Sequence, residues 1–556
     1  MSAPNDMAAS RMRWIERSVL ALLVFGFILL ALRTIFQCEY YPSERNVLGP
    51  AELALGHTER FRQKYPPFSA YFYYLFIALR YRVGWIGHAL PSYGIARVAT
   101  LLLSCVSLCL LWRVARRIGG WRYAILSAYF LAANHTFFAL SQLAHPEALL
   151  TFLVIVELYL SIGILKTGKT GYYIGAALVA AAAISTKYFV LALVLPVAAH
   201  LLEHHQSGRS IGRTLLSPKL GLLILVTGAA IPVMIPGLRQ FITQTYPTIR
   251  NDGYFTNDGP CCLRLPQSGM HRTFVWPALV LLPYCVGLLG YLSSLAGMVT
   301  PLRTRSEGEA DPDRKNILRL LLIYVVVVFV ALQLMTPYFL PQAFTALFPV
   351  LALFSACSAE AALRWTTSRF SGGRRIIMAA VALAILLGAT LPGIRSVTAF
   401  YRAISTNGNK GRALLGLATT KLAPTSPSGV ISSRFRNYGV GFDMIYPSEA
   451  VDQIFSRAPY VLLTMDCFVE NVRKRARADT YCSRLYSRLQ AIRSEVDYVQ
   501  VATITAPDWW GRKLYQAIDP EFSFDMRLYV HRSIYDPKAV GLMLDEFEQK
   551  YPRTGG

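Results

Sequence analysis

Runs of apolar residues long enough to cross a lipid bilayer recur along the first 392 residues of this 556-residue chain. The hydrocarbon core of a bilayer is about 30 Å thick, and an α-helix needs about 20 mostly apolar residues to cross it. Hydrophobic residues make up 54% of the chain and charged residues 16%, which excludes an ordinary soluble enzyme. We therefore expect an α-helical polytopic membrane protein with about 11 transmembrane helices. The windows are Val19–Phe36, Gly94–Leu111, Tyr123–Leu140, Ala148–Leu165, Tyr172–Ser185, Tyr188–Leu202, Leu220–Leu238, Phe274–Val299, Ile317–Met335, Ala343–Leu363 and Ile376–Leu391.

Basic residues between these windows indicate how the chain is oriented. If each window is one crossing, the short basic loops all fall on one side, which the positive-inside rule assigns to the cytoplasm. The N-terminus is then cytoplasmic, and the net charge of +24 is explained by loops without a nucleic-acid partner. Three longer segments fall on the opposite face: 37–93, 239–272 and everything after Pro392. The basic loop residues are Arg113, Arg116, Arg117, Arg122, Lys166, Lys169, Arg209, Arg213, Lys219, Arg303, Arg305, Arg314, Lys315, Arg364, Arg369, Arg374 and Arg375.

The C-terminal tail has the pattern of a small α/β domain. Tyr460–Thr464, Tyr498–Thr503 and Arg527–His531 are rich in β-branched or aromatic residues and predict strands, and Tyr481–Ile492 has helical spacing. The order of the strands cannot be read from this pattern. We predict a transmembrane domain over residues 1–392 and an extracytoplasmic, water-soluble α/β domain over residues 393–556.

The nine cysteines are divided between predicted spans and the external face. Cys105, Cys109, Cys285 and Cys357 lie within spans, where a free thiol is normally a small apolar side chain. In the tail, Cys467 and Cys482 form a disulfide only if the compartment is oxidising, so bridged and free states both stay open. The remaining external cysteines include the adjacent pair Cys261 and Cys262, which can hardly pair with each other.

The first external loop concentrates charges and aromatic residues against the membrane surface. One interpretation is a solvated amphipathic surface segment, which is the usual meaning of such charge runs. The other is a site that binds a charged ligand at the membrane boundary. The charged residues are Glu39, Glu44, Arg45, Glu52, Glu59, Arg60, Arg62 and Lys64.

The order of motifs along the chain resembles the polyprenyl-phosphate-sugar-dependent glycosyltransferases of the GT-C fold. That group contains protein O-mannosyltransferases and aminoarabinose transferases. No single motif is specific, and the resemblance rests on their order and sidedness over nearly the whole chain. The motifs are Pro42-Ser43-Glu44-Arg45, Gly56, Lys64-Tyr65-Pro66-Pro67, Tyr71 to Tyr74, Gly94-Ile95-Ala96-Arg97, His145-Pro146-Glu147, Thr186-Lys187-Tyr188, Tyr338-Phe339-Leu340-Pro341 and Phe348-Pro349.

This resemblance implies the transfer of a sugar from a polyprenyl-phosphate donor to a hydroxyl acceptor on the extracytoplasmic face, with inversion. The acceptor is a glycan, a lipid or a protein, and the expected location is the bacterial inner membrane. Such transfer needs a carboxylate that takes the acceptor proton and cations that hold the departing phosphate.

One departure from the family pattern bears on the general base. The family aspartate falls on Ser43 when Glu44 is aligned with the neighbouring family glutamate, and a serine cannot accept a proton at neutral pH. We expect Glu44 to be the base, with Glu147 and Glu39 as alternatives. Glu147 also begins a predicted span, where an acid is favoured by the helix dipole alone.

Donor-binding positions follow from the same resemblance. Lys64 carries over from the phosphate-binding position of the family, and Arg45 and Lys187 are further cations on the external face, with Tyr65 and Tyr338 as donor contacts. Lys187 and Tyr338 also have interpretations that need no ligand. A lysine at the end of a span often extends its charge to the membrane surface, and a tyrosine there often belongs to the aromatic belt.

Two further functional interpretations stay open at this point. Ser43 in place of aspartate is compatible with a non-catalytic binder of lipid-linked glycan, and a transporter would instead show inverted repeats, which are not evident. The sequence identifies no cofactor with certainty, and a divalent metal ion is left open. His57, His88 and His145 are available as ligands, but their spacing indicates no site.

Overall fold

The computed structural model divides the chain into two compact units. One comprises Met1–Phe36, Tyr40–Thr245 and Met270–Val397, and the other contains Thr398–Gly556. The predicted domain boundary at residue 392 lies outside the described residues. The structure describes residues 3–36, 44–55, 66–83, 92–187, 189–235, 238–240, 243, 277–303, 312–335, 341–369, 374, 377–378, 380–381, 384, 394–395, 410–411, 413–422, 430–432, 440–441, 460–464, 480–504 and 526–551.

The first unit is helical over most of its described residues, and it has no strand among them. Turns of 3-10 helix at Val190–Leu193 and Pro341–Leu347 and a π-helical turn at Pro277–Leu281 precede α8, α15 and α12, respectively. The helices are α1 (Ala3–Leu32), α2 (Arg45–Ala54), α3 (Phe68–Arg82), α4 (Ser92–Ala132), α5 (His135–Leu140), α6 (Pro146–Thr167), α7 (Thr170–Lys187), α8 (Val194–Gln206), α9 (Ile211–Leu215), α10 (Pro218–Met234), α11 (Leu238–Gln240), α12 (Leu282–Val286), α13 (Leu288–Arg303), α14 (Pro312–Met335) and α15 (Phe348–Arg369).

Several of these helices satisfy the length and hydropathy that a membrane crossing requires. Ten of the eleven predicted windows fall on helices, and the last, Ile376–Leu391, lies largely outside the described residues. Among the described residues, six single helices are candidate membrane spans. A seventh candidate is a broken span formed by Pro277–Val286 and Leu288–Val299, which meet at a bend of 115°. The expected helical membrane architecture is therefore confirmed, and the count of eleven spans stays a prediction. The six are Trp14–Leu32, Ser92–Ala132, Pro146–Thr167, Ile211–Met234, Pro312–Leu334 and Ala343–Thr366.

Helix α4 consists of two segments that meet at a glycine. Its 41 residues would extend about 60 Å as one straight helix, roughly twice the thickness of a hydrocarbon core. Gly120 interrupts the helix with φ 81° and ψ −169°. Residues that have a Cβ atom rarely adopt this backbone conformation. The two windows predicted here, Gly94–Leu111 and Tyr123–Leu140, are therefore separated by a turn in the chain.

Helices α13 and α15 pack with their backbones in close approach. A Cβ added at Gly297 would lie 2.0 Å from the carbonyl oxygen of Phe354, so only glycine fits this crossing. Serine hydroxyls on α15 bridge the same interface: Ser355 Oγ donates to the carbonyl of Gly290 at 2.8 Å, and Ser358 Oγ donates to that of Ser293 at 2.6 Å. Small residues and interhelical hydrogen bonds are what hold helices together within lipid, where apolar burial gives little driving force.

The second unit contains a five-stranded mixed sheet. Its order is β2-β1-β3-β5-β4, with β1 parallel to β2 and β3, and β5 antiparallel to β3 and β4. The three predicted strands and the predicted helix are confirmed, each within two residues of its expected bounds. The elements are β1 (Val430–Ser432), β2 (Val440–Gly441), β3 (Tyr460–Thr464), α16 (Thr480–Arg493), β4 (Tyr498–Ile504), β5 (Met526–His531) and α17 (Pro537–Lys550).

The sheet and the last helix share one buried core. Tyr460 of β3 and Leu528 and Val530 of β5 pack with Met543 and Phe547 of α17. These two helix positions are four residues apart and therefore lie on one face of α17. The unit thus has the hydrophobic core expected of an α/β domain.

The cysteines that the structure describes inside the helical unit behave as expected. Cys105, Cys109, Cys285 and Cys357 form no disulfide. Cys467 and the pair Cys261 and Cys262 lie outside the described residues, so a bridge between Cys467 and Cys482 stays a prediction.

Replacing Gly297 with alanine should destabilise the helical unit. The new methyl group meets backbone rather than a flexible side chain, and overpacking of this kind costs about 1–3 kcal/mol. The matched control is Gly228→Ala on α10, where an added Cβ meets nothing within 4 Å. In detergent, Gly297→Ala should melt at a lower temperature than the wild-type protein. Gly228→Ala should melt at the wild-type temperature. Equal melting temperatures for the two variants would contradict this account of the crossing.

Candidate functional site

One buried segment joins the charged residues that the sequence singles out. Residues Ser141–Glu147, here called the hub segment, connect α5 to α6 and are buried at every position. His145 caps α6, Pro146 occupies its first turn, and Glu147 follows as the acidic residue of that turn. Proline is favoured in the first turn of a helix because the N–H group that it lacks would have no partner there. An acidic residue is favoured there because its negative charge complements the helix dipole.

Glu44 stands directly before α2 and is bound by three N–H donors. Arg97 of α4 donates from Nε to Oε1 at 2.8 Å and from Nη2 to Oε2 at 2.7 Å, so the pair is bidentate. The backbone N–H of Ala144, in the hub segment, donates to Oε1 at 2.8 Å. Both side chains of the ion pair are 0% exposed.

Arg97 extends the same network to the end of the first helix. Its Nη1 donates to the carbonyl of Ile35 at 2.9 Å, and its guanidinium lies 4.9 Å from the centroid of the Tyr93 ring. One guanidinium thus links the residues after α1, the residue before α2 and its own helix. Buried charges persist only when they are paired and hydrogen-bonded in this way.

Tyr73 of α3 forms a second bridge to the hub segment. Its hydroxyl donates to the carbonyl of His145 at 3.1 Å and lies 2.9 Å from Thr100 Oγ1 on α4. The ring packs with Val47 and Leu48 of α2 in a small apolar cluster. Helix α2, in the segment 37–93, is therefore packed against other helices, which argues against the solvated-segment alternative for α2.

Glu147 holds the cationic part of the site. Its Oε1 contacts Lys187 Nζ at the C-terminal end of α7, and its Oε2 contacts His145 Nδ1. The Glu147 side chain is 0% exposed, whereas that of Lys187 is 24% exposed. Burial lowers the pKa of Lys187 to about 7, and the contact with the Glu147 carboxylate favours the charged form of the amine. An anionic ligand that takes the place of Glu147 would favour that charged form in the same way.

The protonation of His145 follows from its burial. Desolvation, reinforced by the charge of Lys187, lowers the pKa of His145 to about 3. At neutral pH the ring is therefore uncharged, and its Nδ1–H donates a hydrogen bond to Glu147. His145 orients the carboxylate and does not titrate between pH 5 and 8.

The structure brings three of the predicted site residues to the hub segment. Glu44 and Glu147 contact it or belong to it, and Lys187 reaches it through Glu147. Arg45 is the first residue of α2, and nothing further is described of its side chain. The other predicted positions lie outside the described residues, and their roles stay predictions: Ser43, Glu39, Lys64, Tyr65 and Tyr338.

The contacts that hold this site together are not evident from the sequence. A lone arginine such as Arg97 could equally be a membrane anchor, but in the structure it is the partner of Glu44. Tyr73 lies within the aromatic stretch that the sequence singles out, yet nothing in that stretch distinguishes it from its neighbours. The hub segment itself carries no signal beyond His145-Pro146-Glu147, because its remaining contacts use backbone N–H and carbonyl groups.

A divalent metal at this site also stays a prediction. Among the described residues, a group of three side chains able to hold a metal occurs elsewhere, at His200, Glu203 and His204. At the hub segment, the described carboxylates already have nitrogen partners, Arg97 for Glu44 and Lys187 for Glu147.

Comparisons with known proteins agree with this architecture. Residues 64–235 match the family model of dolichyl-phosphate-mannose-protein mannosyltransferase. ArnT from Cupriavidus metallidurans, in the apo state, aligns with a TM-score of 0.50 at 14% identity, over 95% of this chain and 100% of its own. The apo oligosaccharyltransferase of Archaeoglobus fulgidus aligns with a TM-score of 0.51 at 11% identity, over 90% of this chain and 81% of its own. No curated protein matches the chain. The fold is therefore that of the GT-C proteins.

Breaking the ion pair at the hub segment should destabilise the protein. Glu44→Gln and Arg97→Gln each leave one buried charge without its counterion, which costs about 3–5 kcal/mol. Thermal melting in detergent should show a large drop for each variant, and the double variant Glu44→Gln/Arg97→Gln should lose less than the sum of the two. Arg213→Gln, at an exposed arginine, serves as the control. Additive losses in the double variant would contradict the pairing.

Proposed function

We propose that this chain, which has the GT-C fold, is a membrane glycosyltransferase of the PMT-like superfamily. It uses a polyprenyl-phosphate-linked sugar and glycosylates a hydroxyl group on the extracytoplasmic face. The observation that carries the proposal is the partly exposed ammonium group of Lys187, anchored on buried Glu147 in a protein of this fold. The class of donor follows from the name of the matching family model, a dolichyl-phosphate-mannose-dependent transferase.

Lys187 is the proposed contact for the departing phosphate. When the bond from the anomeric carbon to phosphate oxygen breaks, both electrons of that bond pass to the phosphate, and a nearby cation stabilises the developing charge. An exposed fraction of 24% lets Lys187 reach a ligand without leaving its position at the end of α7. Lys64, Arg45, Tyr65 and Tyr338 remain proposed donor contacts on the strength of the resemblance.

Glu147 is the proposed general base. Once Lys187 turns to the phosphate, one oxygen of Glu147 loses its partner and can accept the proton of the acceptor hydroxyl. That oxygen of the acceptor then forms the new bond to the anomeric carbon, on the face opposite the leaving phosphate, which inverts the configuration. His145 keeps the other carboxylate oxygen in place through its hydrogen bond.

Glu44 is assigned a positioning role. To accept a proton it would have to leave Arg97 buried without a counterion, which costs several kcal/mol. Its three N–H donors instead fix the start of α2 against the hub segment. The sequence alone favours Glu44 as the base, and this assignment replaces that preference with Glu147, its first alternative.

The proposed topology follows from the loop charges. Lys166 and Lys169 precede α7 and lie on the cytoplasmic side under the positive-inside rule, so Lys187 at the other end faces outward. The C-terminal α/β unit follows on the outer face by the same count of crossings. The proposed location is the bacterial inner membrane.

Transfer from radiolabelled polyprenyl-phosphate sugars tests this site. Membranes carrying Glu147→Gln should lose transfer by about 10²–10⁴-fold because the base is gone. Lys187→Ala should lose about 10²–10³-fold because the leaving charge is no longer stabilised. The matched control is Lys169→Ala, at an exposed lysine just before the opposite end of α7. Right-side-out vesicles should transfer externally added donor, and inside-out vesicles should not.

Three outcomes would change the assignment. Wild-type rates in both site variants would remove Glu147 and Lys187 from the mechanism. Glu44→Gln that melts like the wild type but does not transfer would return the role of base to Glu44. A wild-type protein that binds polyprenyl phosphate but transfers no sugar would favour the alternative of a lipid-linked glycan binder.

A further inference from the structure

A cluster of metal-ligand side chains lies at the far end of α7 from Lys187. His200, Glu203 and His204 occupy the last turns of α8, and their ligand atoms all lie within 4.8 Å of one another. The spacing i, i+3, i+4 places the three side chains on one face of the helix. Tyr173, which contacts this cluster, precedes Lys187 by 14 residues of α7, a distance of about 21 Å along a helix axis. The cluster is therefore separate from the proposed transfer site.

The hydrogen bonds of His200 define its tautomer. Its Nε2 lies 3.1 Å from the carbonyl oxygen of Thr214, on α9. A carbonyl only accepts, so Nε2 carries the proton and donates it. The lone pair is then on Nδ1, which accepts from the hydroxyl of Tyr173 at 2.7 Å. A ring N–H donated to a backbone carbonyl is the arrangement that orients histidine ligands in metalloproteins.

His204 and Glu203 present atoms that the described residues leave without a hydrogen bond. His204 is 1% exposed, and neither its Nδ1 nor Glu203 Oε2 has a hydrogen-bond partner. These two atoms face each other at 3.5 Å, which is an ion-pair contact when His204 is protonated. Two ligands of a tetrahedral zinc ion with bonds of about 2.0–2.1 Å are separated by roughly 3.3 Å. The spacing of the orphaned atoms therefore already fits a shared ion.

We propose that His200, Glu203 and His204 bind one divalent transition-metal ion of the zinc class. Two imidazoles and a carboxylate suit zinc better than calcium or magnesium, which prefer oxygen ligands. An ion bound to His200 Nδ1 replaces the hydrogen bond from Tyr173, whose hydroxyl turns its proton away from that nitrogen. A water molecule or the Tyr173 oxygen then completes a tetrahedral shell. The ligands belong to α8, and His200 also contacts Tyr173 of α7 and Thr214 of α9. A bound ion would therefore stabilise the packing of these three helices at this end of the bundle.

The charges around the cluster set the conditions for binding. The carbonyl end of α8 favours a cation, as helix C-termini do. Lys219 faces the cluster as a competing cation: its Nζ lies 5.9 Å from the centroid of the Tyr173 ring and donates to the carbonyl of Gly168 at 2.6 Å. Arg209 Nη1 lies 3.4 Å from His204 Nε2 and must turn aside when that nitrogen takes up the proton displaced from Nδ1. Arg209 is exposed and free to rotate into solvent.

Zinc binding by the untagged, full-length protein in detergent tests the proposal. After metal is removed with a chelator, calorimetric titration with zinc chloride alone should give one equivalent per chain, and zinc should raise the melting temperature. His200→Gln and His204→Gln should each weaken binding by about 100-fold and abolish the thermal shift. The matched control is His205→Gln, at the exposed histidine beside the cluster, which should bind like the wild type.

Two further measurements separate the cluster from folding and from transfer. Each protein is compared with its own metal-free form, because His204→Gln also removes a buried ring that packs on His200. Zinc should raise the melting temperature of the wild type and leave that of His204→Gln unchanged. Lys187→Ala should keep its zinc equivalent, because that residue lies at the other end of α7. The proposal is overturned if the wild type binds no zinc, or if His205→Gln weakens binding as much as the two ligand variants.

Discussion

The buried ion pair between Glu44 and Arg97 is the interaction on which the site depends. It joins three chain segments that are distant in sequence: the end of α1 through Ile35, the start of α2 and the hub segment through Ala144. A buried pair contributes little net stability compared with apolar packing, but it tolerates no loss of either partner. The pair therefore holds the start of α2 against α4 and the hub segment, and both charged parts of the site are positioned relative to it.

The two carboxylates at the hub segment have different environments and hence different proposed tasks. Glu44 is bound by an arginine that is fully buried, so its partner cannot turn to a ligand. Glu147 is bound by a lysine that is partly exposed, so its partner can. This difference in the exposure of the two counterions is the reason for proposing Glu147 as the base and Glu44 as a positioning residue.

Much of the architecture could be predicted because it follows from composition and periodicity. Apolar windows located ten helices or helix pairs, and strands such as Tyr460–Thr464 were found from their β-branched and aromatic residues. Gly297 could not be anticipated, because the need for glycine arises only where α13 meets the backbone of Phe354. The same limit applies to the site: charged residues could be named from sequence, but the partner of each depends on helix packing. The same limit applies to His200, Glu203 and His204, which lie at the end of a predicted span. Sequence alone cannot distinguish a metal site there from a polar helix end. In the structure, the buried atoms of His204 and Glu203 that make no hydrogen bond suggest the site.

The central claim is that Lys187 exchanges its contact with Glu147 for the donor phosphate. A cryo-electron microscopy structure of the chain with bound polyprenyl phosphate measures this exchange directly. The account predicts Lys187 Nζ within about 3 Å of a phosphate oxygen, with the Glu44–Arg97 pair intact. Phosphate bound away from Lys187, with the contact between Lys187 and Glu147 unbroken, would contradict it.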